Sequence, residues 1–174
     1  MIPAGPASSP ALPFLPTIFR KPRRPLLTIA ISYLLSIGGS LLIAAVVSLL
    51  FAKGAAPDFS WLAGSGFTAV FILAIATPVL ETLILAATTS ILLRLVRPGH
   101  AILLSSFGWA LAHSYQAPVW GLVIWWPFII FTTLYVVWKR RSLAWGLFMP
   151  YAVHLLQNLI PAIGIGYPQL IPAI

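Results

Sequence analysis

Four polar side chains lie within stretches that are otherwise apolar: Glu81, His113, His154 and Asn158. Glu81 is one of only two acidic residues in the chain, and it interrupts the run FTAVFILAIATPVLETLILAATTSILL from Phe67 to Leu93. A carboxylate at membrane depth is costly unless paired, hydrated or protonated, so an acid kept there marks a functional site by default. His154 and Asn158 stand four residues apart in HLLQN and project from one helix face. A carboxylate beside a neutral imidazole can hold a water and take its proton. A second imidazole N–H and a carboxamide N–H are donors suited to a developing oxyanion. The set suits hydrolysis of an amide or ester within the membrane. Each residue also has a plainer use. Glu81 can bond a neighbouring helix, His113 can cap its own helix beside Tyr115, and His154 and Asn158 can join helices by hydrogen bonds. Glu81, His113 and His154 are in addition acceptable zinc ligands, so a metal-dependent hydrolase stays open.

The elements that must position these residues are apolar spans. The 174 residues are 60% hydrophobic and only 7% charged, with a mean hydropathy of +1.02. Soluble domains carry roughly 25% charged residues, so this composition implies an all-α integral membrane protein. No cysteine is present, which excludes disulfides, thiolate nucleophiles and Cys-based metal sites. The net charge of +8 is confined to span borders: Arg20, Lys21, Arg23 and Arg24, then Arg94 and Arg97, then Lys139, Arg140 and Arg141. Such borders mark the cytoplasmic side and touch anionic lipid headgroups. They offer no soluble basic face for nucleic acid.

Residues 1–25 hold seven of the sixteen prolines and read as an irregular basic cytoplasmic tail. About five transmembrane helices follow within a membrane domain over 26–160, enclosing a polar cavity. They cover Leu26–Ala52, Phe67–Leu95, a short and oblique His100–Ser114, Val119–Trp138, and Ser142–Ile160 ending before Pro161. Residues 161–174 read as an irregular apolar tail because of their Pro and Gly. Gly38-Gly39 marks a close-packing or kinking point in the first span. Trp120, Trp125, Trp126, Trp138 and Trp145 suit interfacial belts or lipid contact. Nine basic residues then face one side and Lys53 the other, which places the N-terminus in the cytoplasm and the C-terminus outside. In that topology Glu81, His113 and His154 each lie thirteen residues from a cytoplasmic border residue: Arg94, His100 and Arg141. That is about 20 Å in each case, one shared layer. Thr88, seven residues after Glu81, shares its face and is a candidate for the same cavity.

The segments PVLET (78–82), WALAH (109–113) and HLLQN (154–158) resemble the three motifs of the CAAX protease and bacteriocin-processing family of intramembrane glutamic endopeptidases. That family includes type II CAAX prenyl endopeptidases and abortive-infection proteins. Its pattern is roughly P-x-x-E-E-x-x-x-R, aromatic-x-x-x-H, then H-x-x-x-N, and the likeness covers about 67–160. The resemblance implies that Glu81 and His113 activate a water, that His154 and Asn158 stabilise the oxyanion, and that no cofactor is needed. The implied partners are membrane lipids and a membrane-associated or lipidated peptide, and the implied setting is a bacterial plasma membrane. Thr82 and Ala86 depart from the pattern, standing where the second glutamate and the arginine belong. That departure favours a competing expectation: a family member that binds a membrane partner without cutting it.

Overall fold

In lipid the backbone has no water to bond, so an apolar span must satisfy its own N–H and C=O groups as helix. The computed structural model, which describes residues 12–51 and 57–170, follows that rule. Five helices succeed one another: α1 (Pro25–Leu50), α2 (Phe67–Leu95), α3 (Pro98–Ser114), α4 (Trp120–Trp138) and α5 (Leu143–Gly166). Among the described residues there is no strand. Helices α1, α2, α4 and α5 are each long and apolar enough to cross a membrane. The chain is an all-α integral membrane protein. Helix α3, with 17 residues, extends about 25 Å and is the shortest of the five.

Helix α4 is the axis of the bundle and is buried along most of its length. Helices α1, α3 and α5 pack around it, and α2 lies against α3 and α5. Small residues set the close approaches. A side chain at Gly39 would collide with the Trp126 indole, whose Nε1 donates to the Leu35 carbonyl at 2.7 Å. Gly38 faces open space, so only one member of the Gly-Gly pair carries the contact. Below it Thr28, Ser32 and Ser36 form a fully buried stripe at four-residue spacing. Ser36 donates to the Gln157 carboxamide oxygen, and Gln157 Nε2 donates to Ser40 Oγ at 3.4 Å, tying α1 to α5. At the start of α5, Ser142 Oγ accepts from the Trp145 N–H and caps the helix.

Three expectations from sequence are corrected. The basic tail is irregular over its described part, yet it is docked: Leu12, Leu15 and Phe19 are at most 5% exposed and join the core. A short 3₁₀ turn, Thr17–Arg20, presents Phe19 to α4. Residues 1–11 and 171–174, together with Lys53, lie outside the described residues. Pro161 does not end the last helix, which continues to Gly166. The terminal carbonyls of Ile165 and Gly166 accept from Gly64 and Gly66, both at 2.9 Å, so the helix end is satisfied by a turn that precedes α2. Gly64 and Gly66 have φ of +74° and +59°, where glycine is favoured, and a side chain on Gly166 would strike the Gly66 carbonyl. Finally, Trp138 is fully buried, so it makes no lipid contact, while Trp126 is half-buried with its Nε1 committed to the Leu35 carbonyl.

Candidate active site

The glycine clip fixes the depth at which α2 and α5 face each other. Glu81 is fifteen residues from Gly66 along α2, and His154 is twelve from Gly166 along α5. These are about 22 and 18 Å of helix, close enough to put the two side chains in one layer. Glu81 stands at the midpoint of α2, fourteen residues from either end. His113 arrives on the last turn of α3.

The three side chains meet. Glu81 Oε1 lies 3.6 Å from His113 Nε2, and Glu81 Oε2 lies 3.4 Å from His154 Nε2. Each imidazole addresses a different carboxylate oxygen. All three are largely shielded, with side-chain exposure of 17% for Glu81, 15% for His113 and 7% for His154. Both separations exceed those of direct hydrogen bonds.

Hydrogen bonding assigns the tautomer of one of the two imidazoles. His113 Nδ1 is 3.0 Å from the Trp109 carbonyl, which can only accept, so Nδ1 carries the proton. In the neutral ring Nε2 is then a lone pair aimed at Glu81. His154 Nε2, facing the other oxygen, is suited to donate. A wall of aromatic rings holds both. His154 stacks on Phe131 at 4.6 Å between centroids and meets Phe128 edge-on at 5.8 Å. Phe128 also touches the His113 ring at 5.4 Å and stacks on Trp109 at 4.8 Å.

Asn158 sits on the same helix as His154, one turn further on, but its Nδ2 donates to the Leu73 carbonyl at 3.0 Å. That carbonyl belongs to a π-helical stretch of α2, Phe71–Ala76, immediately before Thr77-Pro78. Thr82 and Ala86, the two positions at which the chain departs from the motif it resembles, are buried at 4% and 7% exposure. Ala86 packs into the core. Thr88 is bonded within its own helix. Its hydroxyl donates to the Ile84 carbonyl at 2.9 Å. It lines a mostly apolar space of about 480 Å³ between α2 and α3, bounded by Ile84, Ile91, Leu104, Gly108 and Trp109.

Among the described residues no group of three or more His, Cys, Asp or Glu side chains is arranged to hold a metal ion. The two imidazoles approach separate oxygens of Glu81 rather than one common point. Sequence reasoning had no signal for the aromatic wall or for the Leu73 carbonyl. Comparison with family models, with curated proteins and with solved structures returns no match for this chain.

Proposed function

We propose that the protein is an intramembrane endopeptidase that hydrolyses a peptide bond of a membrane-associated or lipidated substrate through a water held by Glu81 and His113. The observation that carries this reading is the meeting of two imidazoles, from two helices, with the two oxygens of one carboxylate at mid-helix. Two acceptors, Glu81 Oε1 and His113 Nε2, take both hydrogens of a water and leave its lone pairs free for attack. Glu81 accepts the proton as the oxygen–carbon bond forms. His154 Nε2–H donates to the carbonyl oxygen as it gains charge. Collapse of the tetrahedral intermediate breaks the carbon–nitrogen bond, and the proton held by Glu81 passes to the leaving amine. The likeness of 78–82, 109–113 and 154–158 to glutamic endopeptidase motifs supports the same assignment. The chemistry uses no cofactor. The partners are lipids and a membrane-associated peptide, not nucleic acid. The setting is a bacterial plasma membrane with the N-terminus cytoplasmic and the C-terminus outside.

A second reading is favoured by Thr82 and Ala86: a protein that holds a membrane partner without cutting it. One experiment separates these. Purified protein in proteoliposomes is given membrane-anchored peptides, and products are mapped by mass spectrometry with and without a chelator. Chelator-resistant cleavage at a bond within the membrane is the expected result. Peptide retained but intact would favour the binding reading, and cleavage restored only by added zinc would favour a metal hydrolase.

A further inference from the structure

We infer that Asn158 is a positioning residue: it clips a backbone carbonyl that Pro78 leaves without a donor, and so fixes the part of α2 that carries Glu81. Over Phe71–Ala76 the helix follows i→i+5 bonding, and the Thr77 N–H is given to the Ile72 carbonyl. The Leu73 carbonyl therefore loses its α-helical donor, Thr77. Its π-helical donor would be residue 78, a proline with no N–H. Asn158 Nδ2 supplies the missing donor at 3.0 Å, from a different helix. Single π turns recur at functional sites, where they re-aim the residues that follow.

The location gives this bond its consequence. Leu73 lies between the glycine clip at Gly66 and the carboxylate at Glu81, so α5 grips α2 at successive depths: Gly166, Asn158, then the His154 contact. Asn158 and His154 share one face of α5. The residue that would donate to an oxyanion on motif likeness is thus committed, in this geometry, to a backbone carbonyl. Its effect on Glu81 runs through the turn over 73–78.

The test is a double-mutant cycle between Asn158 and Pro78. Asn158→Asp keeps the shape and removes the donor, while Pro78→Ala returns an N–H five residues after Leu73. Two readouts are taken: amide hydrogen exchange over 71–80, and kcat with KM on a cleaved peptide. The kinetic readout rests on the endopeptidase reading, and the exchange readout does not. In N158D, exchange over 71–80 should accelerate and kcat should fall about a hundredfold, the size expected of a misplaced catalytic group. In the P78A background both effects of N158D should shrink to about threefold or less, because the carbonyl then has a backbone donor. An undiminished kcat loss in the P78A background, with exchange unchanged, would overturn the inference and make Asn158 a direct donor to the reacting atoms. Unchanged exchange in N158D would overturn it as well. If the wild type cleaves nothing, the exchange cycle alone decides, so failure of the endopeptidase reading stays distinct from failure of this one. Should N158D not fold, Asn158→Gln, which keeps the donor on a longer arm, takes its place; its partial effect must also be rescued by P78A.

Discussion

At the residue scale, the hydrogen-bond directions carry the argument. The Trp109 carbonyl fixes the His113 tautomer, and that tautomer turns a lone pair toward Glu81. His113→Asn keeps a polar group but removes the basic ring nitrogen. It should lower kcat by about 10²–10⁴-fold with little change in KM, as expected for loss of a general-base partner. Comparable kcat in that variant would show that His113 does not touch the water. Phe131 supplies the stacking face for His154 and is only 2% exposed. Phe131→Ala should destabilise the protein by about 3–5 kcal/mol, read from unfolding in mixed micelles. The polar residues of the site were legible in the sequence because a carboxylate or imidazole in an apolar run stands out by its desolvation cost. The aromatic wall was not, since Phe128 and Phe131 look like any other apolar residue of a span. Asn158 was legible as polar and intramembrane, but its partner is a backbone carbonyl, and backbone carbonyls leave no trace in residue type.

At the scale of elements, glycine and proline decide where helices touch and where they end. The Trp126 indole cannot withdraw from Gly39 without losing its bond to the Leu35 carbonyl. Gly39→Ala should therefore cost about 1–3 kcal/mol of stability, while Gly38→Ala, facing open space, should be neutral or mildly stabilising. Equal thermal shifts for the two variants would contradict the packing described for α1 and α4. Gly121 is a similar case, since a side chain there would strike the Ala110 carbonyl and Ser114 Oγ of α3. The spans themselves were legible from apolar runs bounded by Arg and Lys. The end of α5 was not. A proline normally argues for termination, but here the last carbonyls find the Gly64 and Gly66 N–H groups, a long-range pairing that local sequence cannot reveal. The docking of Leu12, Leu15 and Phe19 was not legible for a similar reason: a Pro-rich segment has no periodicity to show which residues face inward.

At the scale of the whole molecule, four membrane-crossing helices and one short one enclose a polar triad about 20 Å from the basic border. The absence of cysteine makes the topology directly testable. Single cysteines at Arg97 and Ser142 should react with a membrane-impermeant maleimide from the cytoplasmic face, and one at Ser60 from the opposite face. Labelling of all three from one side would refute the proposed orientation. The account stands or falls, however, on Glu81. The most direct measurement compares wild type and Glu81→Gln, matched for helicity and thermal stability, in cleavage of a membrane-anchored peptide in proteoliposomes. The account predicts that the wild type cuts and that Glu81→Gln, which keeps the shape but not the base, does not. Cleavage by Glu81→Gln at the wild-type rate would contradict it.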